Sequence, residues 1–528
     1  MTTRELLIAW GGLSLLALLL FIPHILHGGL YLDDWSDAAG TLYPPGGHGI
    51  GAALSFAKEL VSLSRPVLIF FIPFKYLIFG THTEYLLALS IFLAVLTAAF
   101  LYAILRTLQL PAYHAWVIAA LTLAYPWFDS TRFWETTNAI TLAIVFALGG
   151  LWLALVGLSR QSWRLHAGAA VLYLLSMLTY EVTLPFIAML GVLYTIRNGW
   201  KAARYRWAVD LAMVAAAGLW NRIHTPKSVS GLSGDLSHLK LIFEHGGELV
   251  ARTLFPVGIQ PHTSTMLIAL AAVFVAAVIA YLTLPILRTR EPGWGLRGWL
   301  LLGATGLIIA ALGWAMFIPA DPYYTPSIFG VTNRVNGFAG FGLVLMAYAA
   351  LGIVGFLAGS LLRGRSWVAP AITVALAVML GAAYVHVLER HSRLWNSAYA
   401  YELTAERKIH QAFPHPPHGT TLFTSGYPAN VTLGVTIFAA TWDLDGMVKL
   451  TYKDPSLRAY PITEELALKC LNGGIRVGEE AAIPPAKYGS AWLFDLETGK
   501  RSRPRSQSEC SADKPQFAPG PLYLGTAY

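Results

Sequence analysis

Long apolar stretches constrain this chain more than any other feature. Hydrophobic residues make up 55% of the 528 residues and charged residues only 12%, about half of the roughly 25% that is usual in soluble proteins. A transmembrane helix needs about 20 mostly apolar residues. Eleven segments approach that pattern: 5–27, 84–105, 113–128, 137–157, 167–179, 183–196, 206–220, 264–286, 298–318, 338–361 and 366–386. The composition excludes a water-soluble enzyme and predicts an α-helical membrane protein with about eleven transmembrane helices.

A further apolar segment, residues 66–80, could either cross the membrane or lie along its surface, because it is short and contains Pro73 and Lys75. If it does not cross, thirteen basic residues collect on one side, in the N-terminus and the short connections 106–112, 158–166, 197–206, 287–297 and 362–365. Cytoplasmic loops are enriched in Lys and Arg. The pattern therefore favours an interfacial helix at 66–80, a cytoplasmic N-terminus and an extracytoplasmic C-terminus. It also accounts for the net charge of +8 without nucleic-acid binding.

The longer polar connections then share the outer side of the membrane: 28–65, 126–137, 221–263, 319–337 and the tail after 386. We predict a membrane-embedded catalytic domain over 1–386 and an extracytoplasmic domain over 387–528. Short apolar runs at 420–423, 435–441 and 491–494 predict a small C-terminal domain that is α/β or β-rich. Its two cysteines, Cys470 and Cys510, could pair in an oxidising compartment or remain two thiols.

Two adjacent acidic residues, Asp33 and Asp34, follow the first predicted span in the sequence YLDDW. Mutual repulsion and the nearby low-dielectric membrane both raise the pKa of a carboxyl group and make it a better base. Such a pair could take a proton from an acceptor hydroxyl or hold a divalent metal ion. The alternative is a solvated pair at a helix N-terminus. We take both as candidate catalytic residues.

Further candidates for substrate binding lie among aromatic residues and near span ends. Asp129, Arg132 and Glu135 are three residues apart in YPWFDSTRFWE, so they would share a face if this segment were helical. They could bind sugar hydroxyls, or they could form an ion pair in an interfacial aromatic belt. Glu181 interrupts the apolar stretch 167–196, where an acid usually faces a polar cavity or a partner; the alternative is an acid in a helix turn.

The last outer loop contributes Tyr323 as a substrate-binding candidate and Arg334 as a phosphate-binding candidate. Arg334 directly precedes a span on the outer side, against the usual charge bias. A planar guanidinium binds phosphate in a bidentate manner, and a lipid-linked phosphate would lie at this depth. The alternative is pairing with a lipid headgroup or with an outer acidic residue.

Together these features resemble the C-type (GT-C) membrane glycosyltransferases, which include protein O-mannosyltransferases and the aminoarabinose transferases that modify lipid A. The resemblance rests on the paired acids after the first span, the interfacial segment 66–80, about eleven spans and a C-terminal outer domain. It implies inverting sugar transfer from a polyprenyl-phosphate donor, an Asp base, sometimes a divalent metal ion, and an arginine near the donor phosphate. By analogy with the family motif, Asp33 is the preferred base, and Asp34 would orient it or hold a metal ion.

The function predicted from the sequence is therefore glycosyl transfer by a membrane enzyme. Its partners would be a polyprenyl-phosphate sugar donor, a glycan, lipid or protein acceptor and the lipid bilayer, with no nucleic acid. The expected location is a bacterial plasma membrane, with the active site on the extracytoplasmic face. The alternatives are a polysaccharide polymerase or ligase and a transporter or flippase of lipid-linked sugars. Transporters place polar residues near the bilayer midplane, whereas those of this chain cluster on one face.

Overall fold

The computed structural model describes residues 2–225, 232–256, 295–361, 367–479 and 484–524. The helices of the membrane part are α1 (Thr3–His27), α2 (Asp33–Leu42), α3 (Ile50–Val61), α4 (Pro66–Phe79), α5 (Thr83–Thr107), α6 (Ala112–Ala124), α7 (Ser130–Phe133), α8 (Asn138–Arg160), α9 (Trp163–Thr179), α10 (Leu184–Asn198), α11 (Trp200–His224), α12 (Leu232–Leu254), α13 (Leu296–Ala315), α14 (Ala339–Leu361) and α15 (Val368–Ala412). Short 3-10 turns lie between some of them, at Pro126–Phe128, Glu135–Thr137, Glu181–Thr183 and Val331–Asn336.

The apolar segments of the sequence correspond to these helices. Each predicted span coincides with a helix, except 264–286, which lies outside the described residues, as do the predicted connection 362–365 and most of 287–297. Among the described residues, six helical stretches are long and apolar enough to cross a membrane: α1, α5, Glu135–Arg160, α13, α14 and α15. The fold is thus a mostly helical membrane protein, and the number of eleven crossings stays a prediction.

Helix α4 corresponds to the ambiguous segment 66–80. It has 14 residues, so it is about 21 Å long, and α6 is equally short, with 13 residues, so length alone does not separate an interfacial helix from a crossing one. One face exposes Phe70 and Phe74, while the opposite face buries Lys75 and Tyr76. An apolar outer face and a charged inner contact are what an interfacial helix resting against a polar site requires.

Helix α15 has 45 residues and continues through the predicted domain boundary between 386 and 387. Its first half is apolar, and its second half carries charged residues towards the C-terminal domain. The helix ends before Pro414, Pro416 and Pro417, because proline lacks the N–H that a continuing helix needs.

The C-terminal domain is α/β, one of the two alternatives that the sequence left open. Its elements are β1 (Thr421–Ser425), β2 (Asn430–Thr432), β3 (Val435–Thr436), α16 (Asp443–Tyr452), β4 (Arg458–Pro461), β5 (Leu468–Leu471), β6 (Gly474–Val477), β7 (Ala491–Asp495), β8 (Arg501–Ser502) and α17 (Gln507–Asp513). The main sheet has the order β4-β1-β7-β8. Strand β1 is parallel to β4 and β7, and β8 is antiparallel to β7. Two antiparallel hairpins, β2-β3 and β5-β6, complete the domain.

Two details of this domain bear on the sequence predictions. The run 435–441 is a strand only at Val435–Thr436, because the N–H groups of Ala439 and Ala440 donate to the side chain of Asp443 instead of to a strand. Cys470 and Cys510 form a disulfide, with their Cα atoms 5.9 Å apart. The disulfide joins β5 to α17 and resolves the alternative that the sequence left open.

Candidate active site

The backbone before α2 determines where the acid pair lies. Leu32 has φ 46° and ψ −112°, a conformation that costs about 1–3 kcal/mol for a residue other than glycine. The neighbouring Tyr31 holds it there, since its carbonyl accepts hydrogen bonds from Asp34 N (2.9 Å) and Trp134 Nε1 (3.0 Å). As a result, Asp33 and Asp34 occupy the first turn of α2, where the helix dipole favours negative charge.

Asp34 is fully buried and joins α2 to the turn Glu135–Thr137. Its Oδ2 accepts a hydrogen bond from Tyr31 N at 3.0 Å. Its Oδ1 accepts from Thr136 N at 2.7 Å and from Thr136 Oγ1 at 2.5 Å. Burial raises the pKa of this carboxyl group. Because both oxygens already accept hydrogen bonds from the protein, the geometry gives Asp34 a positioning role.

Asp33 is only partly buried, and its surroundings differ from those of Asp34. Its Oδ1 accepts one hydrogen bond, from Trp442 Nε1 at 2.7 Å. Within the described part of the chain, its Oδ2 has no hydrogen-bond partner. Burial raises the pKa of Asp33, while the Trp442 hydrogen bond and the positive charge of Arg334 act in the opposite direction. Of the two acids, Asp33 is therefore the one with an oxygen that accepts no hydrogen bond from the described part of the chain.

Arg334 belongs to the turn Val331–Asn336 and lies against aromatic rings. Its guanidinium carbon is 4.9 Å from the centroid of the Trp134 ring, 5.4 Å from that of Tyr324 and 5.8 Å from that of Tyr323. No carboxylate of the described residues pairs with it. Tyr323 is 51% exposed, so this group opens to the surface. A guanidinium that rests on rings and has no anion as partner is suited to bind a phosphate.

Glu181 lies close to this group but is bound to a second arginine. Arg65 donates from Nε to Oε2 at 3.0 Å and from Nη2 to Oε1 at 2.6 Å, and its guanidinium lies 4.0 Å from the centroid of the Tyr180 ring. Burial alone would raise the pKa of Glu181, but the ion pair with Arg65 holds it below the usual value. The charge of Arg334 also acts on Tyr180, so the two guanidinium groups share one neighbourhood.

Glu135 is paired with the lysine of α4. Lys75 Nζ lies 2.6 Å from Glu135 Oε1, and their side chains are 1% and 0% exposed. Tyr76 donates to Glu135 Oε2 at 2.8 Å, and Asn138 donates to Oε1 at 3.3 Å. Glu135 thus connects α4 to the beginning of α8, directly before Thr136, which holds Asp34.

The expectation of one shared helical face for Asp129, Arg132 and Glu135 is not met. Trp134 has φ −112° and ψ 115°, which is extended, so α7 ends after four residues and the three side chains point to different partners. The reason is a contact between distant parts of the chain, since the indole of Trp134 donates to the Tyr31 carbonyl, 103 positions away.

Asp129 and Arg132 are both buried, and each forms hydrogen bonds with residues outside the predicted set. Asp129 Oδ1 accepts from Asn333 Nδ2 at 2.6 Å, and Oδ2 lies 2.5 Å from His391 Nδ1. Asp129 thereby anchors the turn that carries the phosphate-binding candidate. Arg132 donates to the Tyr125 carbonyl at 2.9 Å and to a carbonyl of α6 at 2.6 Å, which is a structural role.

The structure brings part of the predicted set together and adds residues to it. Asp33 and Arg334 both act electrostatically on Tyr323, and Arg334 and the Arg65–Glu181 pair both act on Tyr180, so these residues share one neighbourhood. Asp34 and Glu135 are fully buried. Sequence reasoning missed three partners: Arg65, Lys75 and Trp442. A lysine in an apolar segment was an available signal for a buried partner. The contact between Trp442 and Asp33 spans 409 positions, and no local pattern could have indicated it.

The described residues of this region give no support for a metal site, and the divalent metal ion stays a prediction. Among the described residues, no group of three or more His, Cys, Asp or Glu side chains is arranged to hold a metal ion. Asp34, the predicted metal ligand, uses both oxygens for hydrogen bonds with the protein.

Comparison with known proteins adds two solved structures. No family profile matches the chain, and no curated protein matches it. The crystal structure of ArnT from Cupriavidus metallidurans in the apo state has 15% identity and a TM-score of 0.38, and the match covers 97% of this chain and 88% of that chain. The structure of the same protein bound to undecaprenyl phosphate has 15% identity, a TM-score of 0.37 and coverage of 85% of each chain. TM-scores this low carry no functional weight.

Proposed function

We propose that the protein is a membrane glycosyltransferase that moves a sugar from a polyprenyl-phosphate donor to a hydroxyl of a glycan, lipid or protein acceptor. One observation carries the proposal. A half-buried carboxylate with a raised pKa, Asp33, lies within electrostatic reach of Arg334, a guanidinium that stacks on aromatic rings and pairs with no carboxylate of the described residues. A base and a phosphate-binding cation at the surface of a membrane bundle are the two groups that this reaction needs.

The reaction runs with inversion. Asp33 Oδ2 takes the proton of the acceptor hydroxyl as the hydroxyl oxygen attacks the anomeric carbon of the sugar. The bond between that carbon and the phosphate oxygen breaks, and the phosphate keeps the electron pair and leaves as polyprenyl phosphate. Arg334 stabilises the charge that grows on the phosphate. These steps use only side chains of the chain itself.

The remaining residues position these two groups. Asp34 fixes the first turn of α2 through Thr136, and the Lys75–Glu135 pair fixes α4 beside it. Tyr323 is exposed next to Arg334 and offers a ring to the sugar or to the lipid phosphate. Glu181 acts through Arg65, since that ion pair occupies both of its oxygens.

The site and the C-terminal domain belong, in this proposal, to the extracytoplasmic side of a bacterial plasma membrane. The basic connections support this orientation, and so does the disulfide between Cys470 and Cys510, since disulfides persist in oxidising compartments. Reporter fusions at residues 199 and 400 should report opposite sides of the membrane. The same side for both would refute the orientation.

The experiment that tests the reaction measures loss of labelled sugar from polyprenyl-phosphate hexoses and pentoses in membranes that contain the protein. Asp33→Asn should lower transfer by orders of magnitude with little loss of folded protein. Arg334→Ala should raise the apparent KM for the donor, because a phosphate contact acts before and during the reaction. The control is Arg407→Ala, which changes an exposed arginine of α15. Normal transfer by Asp33→Asn would refute the assignment of the base.

A further inference from the structure

The C-terminal domain contacts the segment that carries the proposed base. Helix α16 packs on α2 so closely that a Cβ atom on Gly446 would lie 2.4 Å from the carbonyl carbon of Trp35 and 2.5 Å from Ser36 N. Real Cβ atoms do not approach a backbone to this distance, so a glycine is required here. The two helices are therefore in direct backbone contact.

Trp442 stands at the beginning of α16, where the chain is held firmly. The next residue, Asp443, is buried and accepts hydrogen bonds from Ala439 N and Ala440 N, each at 2.9 Å, and from Leu444 N at 2.6 Å. This network closes the loop before the helix. It directs the indole of Trp442 outwards, where the side chain remains 46% exposed and Nε1 donates to Asp33.

The same domain also contacts the turn that carries Arg334. Val331 N donates to the carbonyl of Gly434, in the β2-β3 hairpin, at 2.8 Å. Gly330 has φ +73°, and a Cβ on it would lie 2.5 Å from the Gly434 oxygen. The hairpin and the turn are therefore in backbone contact, just as α16 and α2 are.

We propose that the C-terminal domain completes the active site, with Trp442 as the positioning residue that orients the carboxylate of Asp33. This inference rests on the proposed function. The base and the phosphate-binding arginine lie on separate segments of the membrane part, and one domain contacts both segments. A carboxylate on the first turn of a helix can rotate unless something holds it. The indole N–H on Oδ1 holds it and leaves Oδ2 for the acceptor hydroxyl, and such pre-orientation is a large part of catalysis.

Trp442→Phe tests the hydrogen bond alone, because it keeps a ring and removes the N–H. We expect kcat to fall about tenfold with little change in the donor KM. The hydrogen bond favours the ionised carboxylate, so its loss raises the pKa of Asp33. The acid limb of the pH–rate profile should then move to higher pH, by on the order of 0.5–1 pH unit. A purely structural role for Trp442 would change the amount of folded protein and leave this midpoint unchanged.

Gly446→Ala tests the docking of the domain while Trp442 remains in place. The added methyl group forces α16 away from α2, so the variant should lose activity in the same way as Trp442→Phe. The matched control is Gly473→Ala in the same domain, because a Cβ on Gly473 meets nothing within 4 Å. Wild-type kinetics in both Trp442→Phe and Gly446→Ala would overturn the inference.

A readout without turnover separates this inference from the proposed function. In protein labelled with 5-fluorotryptophan, the 19F signal of Trp442, assigned by its loss in Trp442→Phe, should shift with pH as Asp33 ionises. It should stay constant in Asp33→Asn. An identical pH response in both proteins would overturn the contact itself. If the signal behaves as expected but no donor is consumed by the wild-type protein, the proposed function fails, and Trp442 is only a contact between domains.

Discussion

The buried ion pair between Lys75 and Glu135 makes a quantitative prediction about stability. Both side chains are almost completely buried, so changing Lys75→Met leaves the charge of Glu135 without its counter-ion in a low-dielectric environment. Loss of one partner of a buried ion pair typically costs about 3–5 kcal/mol. Glu135 would keep the hydrogen bonds from Tyr76 and Asn138. We therefore expect Lys75→Met to lower the free energy of unfolding by about 3 kcal/mol, at the lower end of that range.

The double variant Lys75→Met, Glu135→Gln should recover most of this loss. Glutamine is uncharged and still offers an oxygen to Tyr76, and methionine fills most of the volume of the lysine side chain. Replacing a whole buried pair by groups of similar shape is often close to neutral. We therefore expect the free energy of unfolding of the double variant to lie within about 1 kcal/mol of that of the wild type.

The measurement is thermal unfolding in detergent, followed by tryptophan fluorescence. The single variant should unfold roughly 3 °C below the wild type, and the double variant should unfold close to the wild-type temperature. The control is Arg393→Met, which breaks the exposed pair of Arg393 with Glu389 and should change little. If Lys75→Met unfolded at the wild-type temperature, or if the double variant were no more stable than the single one, the reasoning about the buried pair would be wrong.

Three further predictions concern charge and covalent linkage. Burial raises the pKa of Asp37 to about 8, so the free energy of unfolding falls as pH rises from about 4 towards that value. Asp37→Asn should therefore unfold at a higher temperature than the wild type at pH 8 and at the same temperature at pH 4. The ion pair with Arg65 lowers the pKa of Glu181, so Glu181→Gln should lower the free energy of unfolding by about 1 kcal/mol at pH 7. This difference should vanish as pH falls and Glu181 becomes protonated, which unfolding temperatures measured at decreasing pH would show. Changing both Cys470 and Cys510 to Ser should lower the stability of the C-terminal domain by about 2–4 kcal/mol, measured as faster proteolysis of that domain.

Most helices could be predicted because apolar periodicity reports burial in the membrane or in the bundle. The helix from 83 to 107 and the one from 339 to 361 lie within two residues of their predicted limits. The boundary of the C-terminal domain could not be located in the same way. A helix that leaves the membrane loses its apolar character without ending, and α15 does so, so a change of composition does not mark a change of secondary structure.

The sequence indicated part of the candidate site as residues, but it did not indicate their hydrogen-bond partners. Adjacent acids after the first span were a usable signal, yet nothing in the dipeptide separates Asp33 from Asp34. The difference comes from Thr136, which occupies Asp34, and from Trp442, which leaves one oxygen of Asp33 available. Both partners are distant in sequence, so their effect depends on tertiary structure alone.

The hydrogen bond between Thr136 and Asp34 also constrains how the chain crosses the membrane. Asp34 follows α1 and Thr136 precedes α8, and their hydrogen bond places both on one side of the bilayer. An even number of crossings must therefore separate them. Helix α5 has 25 residues and is long enough to cross, so only one of α4 and α6 can cross with it.

Helix α6 follows α5 after a short connection and is buried along almost its whole length, as a returning helix inside the bundle would be. Helix α4 exposes one apolar face, and its Lys75 reaches Glu135, beside Thr136. Parity and the charge distribution of the loops together predict that α6 makes the second crossing and that α4 lies at the membrane surface, and the number of crossings stays a prediction.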